Sequence, residues 1–372
     1  MGVSRRSFLG TLGVGATAAA VAPQLAFSFE PRKGGAPGVA QLNANENAYG
    51  CFASVRATMQ QALQRSNRYP DTEVDSFLER VAALHQVKRE QVLLGNGSAE
   101  ILRLTAEAFT GPGRKLITAL PTFEAPAFYA RARGAEVMEV PLLADFAHDL
   151  DAMLTKAGGQ PALIYICNPN NPTASLTPHR EIEALLKKLP PHTYVLIDEA
   201  YHHFADAPEY RSFLDAPVDD PRVIVTRTFS KVYGMAGLRL GYGVAAPETA
   251  RRMFQLGVWD NANVVALQCG MAALDDAAGL RTAVERNRRD RAEFLRQASA
   301  RRMRTVPSQA NFVMLETGRP IRELQEYFKA RDVLIGRPFP RMESWARISL
   351  GTPEEMAKFW QVWDAMPAAA RN

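Results

Sequence analysis

The chain has 372 residues, 47% hydrophobic and 22% charged, with 25 Gly and 24 Pro. This length suits two domains of about 150 residues each, and the composition excludes collagen-like, low-complexity and disordered readings. Lys and Arg number 44 against 39 Asp and Glu, a formal net charge of +5; no like-charge tract is interleaved with aromatics, so no nucleic-acid partner is expected.

At the N-terminus, Ser4-Arg5-Arg6-Ser7-Phe8-Leu9 sets two arginines ahead of a Gly/Ala-rich apolar run from Leu9 to Ala22, and no acidic residue occurs before Glu30. This order of charge, apolar stretch and small residues is similar to a bacterial twin-arginine export signal. Residues 1–30 are therefore read as a signal segment that sends the chain to the periplasm, with membrane contact only through that signal and a cytoplasmic location as the alternative. Gly10, Gly13 and Gly15 keep the run short and weakly apolar, which disfavours a spanning helix. Residues 31–66 follow as an arm, Pro/Gly-rich from Pro31 to Gly38, with a helix expected from Val55 to Gln64. They are assigned in part to a smaller domain.

Residues 67–277 carry the main pattern. Between Gln91 and Ala246 short apolar runs alternate with amphipathic stretches, which predicts strands laid parallel with helices on both faces. The expected strands are Val92–Leu94, Lys115–Ala119, Ala135–Val140, Ala162–Cys167, Tyr194–Ile197, Val223–Arg227 and Leu240–Ala245. They are near-continuous apolar runs, as expected where both faces of a sheet are covered. Residues 278–372 add an arginine-rich helix from Ala278 to Arg302, a strand Asn311–Leu315, a helix Ile321–Ala330 and a strand Ala346–Leu350. The fold class is α/β: a large domain with a mostly parallel seven-stranded sheet, and a smaller α/β domain built from the two chain ends. Three cysteines, Cys51, Cys167 and Cys269, show no C-x-x-C spacing and indicate neither a disulfide framework nor a zinc site.

Chemistry enters at the ends of these strands. Gly95-Asn96-Gly97-Ser98-Ala99-Glu100 leaves a strand and opens a helix, so the free N–H groups of Ser98 and Ala99 suit a phosphate, with an ordinary strand-to-helix turn as the alternative. A dinucleotide fingerprint needs a third glycine where Glu100 stands and an acid closing the next strand, which instead ends Thr118-Ala119-Leu120-Pro121. Thr226-Arg227-Thr228-Phe229-Ser230-Lys231 ends a later strand and Arg239 follows eight residues after the lysine. A nucleophilic lysine needs a neutral amine, and desolvation with a nearby arginine lowers its pKa in that direction. Asn168-Pro169-Asn170-Asn171-Pro172-Thr173 and Asp198-Glu199-Ala200-Tyr201 leave two further strands. Polar groups at the carboxyl ends of parallel strands converge where open α/β sheets bind ligands.

On these motifs the chain from Asn43 to Thr352 resembles a fold-type I, pyridoxal-phosphate-dependent aminotransferase of class I/II, nearest in pattern to the histidinol-phosphate aminotransferase branch. The resemblance implies pyridoxal 5'-phosphate as cofactor, with Lys231 forming the Schiff base and Asp198 pairing with the ring nitrogen. Asn171 and Tyr201 bond the ring's phenolic oxygen, and Phe123 stacks on the ring. The phosphate falls to Ser98, Ala99, Thr228, Ser230 and Arg239. Tyr69, in Arg68-Tyr69-Pro70-Asp71, reaches a phosphate across a homodimer interface. Arg347, in Ala346-Arg347-Ile348-Ser349, is the implied carboxylate clamp; Arg337 and Tyr49 are further substrate contacts. No metal is implied. Two departures stand out: Ala174 occupies a position usually held by Gly, and Ala48 one where Pro is common. The implied reaction is ping-pong amino transfer between an amino donor and a 2-oxo acid. Decarboxylase or lyase chemistry on the same fold, and a non-catalytic binding protein, are the rival readings.

Overall fold

The apolar runs become the strands of one seven-stranded sheet: β2 (Val92–Asn96), β3 (Lys115–Leu120), β4 (Val137–Pro141), β5 (Ala162–Cys167), β6 (Thr193–Asp198), β7 (Val223–Thr228) and β8 (Leu240–Ala245), in the order β2-β8-β7-β6-β5-β3-β4. The computed structural model describes residues 38–216 and 219–367, which lie in one compact unit; the twin-arginine segment falls outside the described residues. Strands β4, β3, β5, β6 and β7 run parallel, whereas β8 is antiparallel to both its neighbours. With β8 alone reversed, the sheet is mostly parallel, as expected. Parallel neighbours need a crossover element, but the segment from β7 to β8 contains only a short 3-10 turn, Ala236–Leu238, so the chain turns straight back.

Both faces of the sheet are covered, which explains the continuous apolar sequence. Leu163, Tyr165, Leu196 and Ile224 point toward α3 (Ser98–Phe109) with Ile101 and Leu104. Ile164, Ile166, Val195 and Val225 point the other way, toward Phe77 and Val81 of α2 (Asp71–His85) and Leu267 of α8 (Val264–Asp275). Each large side chain removed from water in this way contributes about 1.5–3 kcal/mol before the cost of ordering. Between these elements lie α4 (Ala125–Ala132), α5 (Leu150–Ala157), α6 (His179–Lys187) and α7 (Pro247–Phe254). Helix α1 (Ala53–Ala62) ends in a 3-10 turn, Leu63–Arg65, within two residues of its expected bounds.

A separate core forms from segments near both ends of the described chain. Leu42 of β1 (Ala40–Leu42) joins Phe294 of α9 (Ala277–Ala300), Val313 and Leu315 of β9 (Phe312–Glu316), and Phe328 of α10 (Ile321–Lys329). Val333 of β10 (Val333–Ile335), Ile348 of β11 (Trp345–Ser349) and Phe359 of α11 (Pro353–Asp364) complete it. Strand β1 pairs in parallel with β10, and β9 pairs antiparallel with β11. Thus the arm that precedes α1 is fixed at one end by the C-terminal core, and its next residues are delivered to the carboxyl edge of the large sheet.

Candidate active site

Four chain turns meet at the carboxyl ends of β3, β5, β6 and β7. The turn after β3 is tied to the turn after β5: Thr122 Oγ1 donates to Asn170 Oδ1 at 2.6 Å, and Asn170 Nδ2 donates to the Pro121 carbonyl at 3.1 Å. These bonds fix the positions of Phe123 and Asn171, the latter buried at 7% exposure. Next to them Asp198 closes β6, its register partner on β5 being Cys167. Its Oδ2 accepts from the Tyr165 hydroxyl at 3.0 Å and its Oδ1 from the Ala200 N–H at 3.1 Å. Burial pushes the Asp198 carboxyl up to about 6, while the two donors and the Lys231 charge pull the other way and Glu199 adds to the rise. Burial dominates, yet the group still titrates below neutrality.

Lys231 sits on the loop after β7, partly buried. Its Nζ donates to the Asn45 carbonyl at 3.1 Å and the Ala44 carbonyl at 3.5 Å, and lies 5.6 Å from the centre of the Tyr201 ring. Desolvation lowers its pKa to about 8, with Arg347 and then Arg239 acting in the same direction and Glu46 and Asp198 opposing. A substantial neutral fraction is therefore present at physiological pH, which an ordinary lysine lacks. The Tyr201 hydroxyl accepts from Asn45 Nδ2 at 3.1 Å, and burial raises its pKa.

Arg347, on β11, crosses from the C-terminal core into this group. It donates to Asn171 Oδ1 at 2.7 Å and to the Asn43 carbonyl at 2.7 Å, with Phe312 and Phe339 flanking its guanidinium. The arm is held from the same side: Asn45 N–H donates to Ser349 Oγ at 2.8 Å, and Asn311 Nδ2 donates to the Asn45 and Glu46 carbonyls. One short stretch, Asn43 to Glu46, thereby touches Arg347, Lys231 and Tyr201.

At the carboxyl end of β7 Thr228 Oγ1 donates to Ser230 Oγ at 2.9 Å and accepts from the Ser230 N–H at 3.1 Å. Helix α3 starts here with Gly97 as its N-cap, at φ +74° and without a side-chain cap, so the first-turn N–H groups of Ser98 and Ala99 have no carbonyl inside the helix. Two glycines make the approach possible. A Cβ on Gly97 would overlap the Arg239 guanidinium, and a Cβ on Gly241 would overlap the Ser98 nitrogen. Arg239, two hydroxyls and a bare helix N-terminus so lie close together, a donor set that fits a phosphate monoester.

Three expected residues lie apart from these contacts. Arg337 is half exposed, bonded to Glu124 and stacked on Phe339. The Tyr49 hydroxyl donates to Asp290 Oδ2 of α9 at 2.9 Å beneath the Arg286 guanidinium, and burial raises its pKa to about 12. It lines a cavity of about 370 Å³ with Glu46, Asn287 and Leu350. Tyr69 is 76% exposed. Conversely, Asn45, Tyr165, Asn311 and Ser349 were not foreseen. Asn45 stands two residues after Asn43, where the resemblance begins, and Ser349 two residues after Arg347, and these positions were their only local signals.

Residues 37–362 match the family described as Aminotransferase class I and II. The chain belongs to the class I and II aminotransferases. Among proteins similar to this aminotransferase, a histidinol-phosphate aminotransferase 2 from Ralstonia nicotianae is 38% identical over 323 residues, covering 86% of each chain. A histidinol-phosphate aminotransferase from Geobacillus sp. strain WCH70 is 34% identical over 328 residues, 87% of this chain and 89% of that one. The crystal structure of histidinol-phosphate aminotransferase from Sinorhizobium meliloti in complex with pyridoxal-5'-phosphate superposes with a TM-score of 0.81 at 25% identity, covering 90% of this aminotransferase and 91% of that chain.

Proposed function

We propose that this aminotransferase uses pyridoxal 5'-phosphate to move an amino group from an anionic primary amine, an amino acid or an amine of the histidinol-phosphate kind, to a 2-oxo acid. The observation that carries the reading is the meeting of Lys231, Tyr201 and Arg347 around one arm segment, with the buried Asp198 carboxylate acting electrostatically on Lys231. Lys231 would be the amine that holds the cofactor, Asp198 would pair with the ring nitrogen, and Asn171 and Tyr201 would bond the phenolic oxygen. Phe123 covers the ring. Ser98, Ala99, Thr228, Ser230 and Arg239 hold the phosphate. When bound, the protonated ring supplies an electron sink for the pair released at the substrate α-carbon.

The chain's own residues supply the rest. Asp198, as an anion, keeps a positive charge on its partner nitrogen. Lys231, as a neutral amine, would take the proton from the substrate α-carbon, a task its lowered pKa suits. Arg347 grips the substrate anion through its planar fork while Asn171 and the Asn43 carbonyl hold its orientation. Arg337 and Tyr49 are assigned to the outer end of the substrate. The names borne by the two relatives described above, both histidinol-phosphate aminotransferases, support that substrate class for this chain.

We further infer a homodimer in which Tyr69 reaches the partner's phosphate site, supported by exposed Tyr69 and by exposed Leu63, Val258 and Trp259 on segments adjoining α8. The Arg5-Arg6 pair supports twin-arginine export to the periplasm; replacing both by Lys is expected to retain the protein in the cytoplasm. The substrate reading is tested by offering the purified, cofactor-loaded protein histidinol phosphate, aromatic amino acids and glutamate separately, and measuring the 2-oxo or aldehyde product together with pyridoxamine phosphate. Transfer from a phosphorylated or carboxylated amine supports it. Release of carbon dioxide or ammonia without pyridoxamine phosphate contradicts it.

A further inference from the structure

Strands β5 and β6 put Tyr165 beneath the site on the same sheet face as Asp198. The register pairs Cys167 with Asp198 and Tyr165 with Leu196, and Leu163, Tyr165, Cys167 and Leu196 all point toward α3. Tyr165 has no exposed surface. A phenylalanine would fill that space in the core equally well; what the tyrosine adds is a hydroxyl, and it donates to Asp198 Oδ2 at 3.0 Å. With Oδ2 occupied from below and Oδ1 taking the Ala200 N–H at 3.1 Å, the carboxylate is held in one orientation. The groups facing it are Tyr165 and Cys167 from β5, Glu199 and Tyr201 next in the chain, and Lys231 from the loop after β7.

Burial favours the neutral acid, and the adjacent Glu199 carboxylate does the same. A neutral Asp198 is of little use to a ring nitrogen that must stay cationic, because a carboxyl and a pyridine share one proton between them. Whichever is the stronger base keeps it. A hydrogen bond donated to the carboxylate stabilises the anion and weakens its hold on that proton.

We propose that Tyr165 is a positioning residue for amino transfer: through its bond to Asp198 Oδ2 it keeps the shared proton on the cofactor nitrogen rather than on the carboxylate. This rests on the reading that Asp198 faces that nitrogen. The sequence context of Tyr165, inside an apolar strand, gives it the look of a core residue.

The test uses holoenzyme reconstituted with cofactor labelled with nitrogen-15 in the ring, the ring nitrogen's chemical shift reporting its protonation directly. Wild type, Tyr165→Phe and Asp198→Ala are compared at one pH. Asp198→Ala is expected to give the shift of an unprotonated pyridine. Tyr165→Phe is expected to move the shift from the wild-type position toward that of Asp198→Ala, with the proton-placement equilibrium changed about tenfold, the size of one hydrogen bond to a charged group. If Asp198→Ala moves the shift and Tyr165→Phe leaves it unchanged, the role of Tyr165 is overturned while that of Asp198 stands. If Asp198→Ala itself changes nothing, the ring-nitrogen reading fails and the proposal with it. Loss of thermal stability without movement of the shift marks a packing role and overturns the proposal. Should Tyr165→Phe not fold, 3-fluorotyrosine placed at position 165, a stronger donor, is expected to move the shift in the opposite direction, and an unmoved shift overturns the proposal.

Discussion

The inner and outer ends of the candidate site are built differently. At the inner end Asp198, Asn171 and Arg347 are each less than 9% exposed and each bonded to residues far away in the chain, so the groups are fixed before any ligand arrives. At the outer end Tyr69, Arg337 and Arg239 are exposed, and the bonds of the two arginines are local or at the surface. Buried polar groups are expensive to misplace, which preorganises the inner end for chemistry. Exposed ones cost little to move, so the outer end can adapt to substrate or be completed by a second copy of the chain.

Substitutions can break this contrast. The largest effect is expected for Asp198→Ala, which removes the buried charge opposite the ring and is expected to lower kcat by roughly 10²–10³ in steady-state assays while the circular dichroism stays native; near-wild-type kcat would contradict the inner-end assignment. Arg347→Lys keeps the charge but loses the planar fork, and about 1.5–3 kcal/mol of charged hydrogen bonding corresponds to a roughly 10- to 100-fold fall in kcat/KM for carboxylate substrates. An unchanged ratio would mean that Arg347 serves the arm alone. Tyr69→Phe is expected to weaken cofactor affinity about tenfold, one charged hydrogen bond, measured by equilibrium dialysis. If the outer end is shared between copies, mixing Tyr69→Phe with Asp198→Ala restores wild-type cofactor affinity to the one active site of each heterodimer; no restoration counts against the shared site. The smallest effect concerns Ala174, fully buried at φ +57°. Ala174→Gly loses a buried methyl and loosens the unfolded chain but relieves left-handed strain, so thermal unfolding is expected to place it within about 1 kcal/mol of wild type.

The same contrast separates what was legible in the sequence from what was not. Strands such as Ala162–Cys167 and Leu240–Ala245 are observed at their expected bounds because their apolar runs are long enough to mark them. The direction of β8 was not legible, since a doubly covered strand reads alike in either orientation and only the lack of a crossover helix decides. Strands β1 and β10, three residues each, are too short to show a period, and their pairing joins Ala40 to Val333. Within the site, Lys231, Asp198 and Asn171 stand in dense local motifs. Tyr165 is one apolar-looking residue among five others in β5, and Ser349 acquires its part only by meeting Asn45 from 304 positions away.

The central claim is that Lys231 is the amine that carries the cofactor. Borohydride reduction of the pyridoxal-phosphate-loaded protein, followed by peptide mass mapping, tests it most directly, with the reaction of the unloaded protein followed as a function of pH. One adduct on the Lys231 peptide is predicted, absent from Lys231→Ala, with a rate of cofactor capture that climbs with pH and levels near 8, where the amine becomes neutral, instead of climbing on toward the ordinary lysine value of 10.5. An adduct on another lysine, or none at all, would contradict the account.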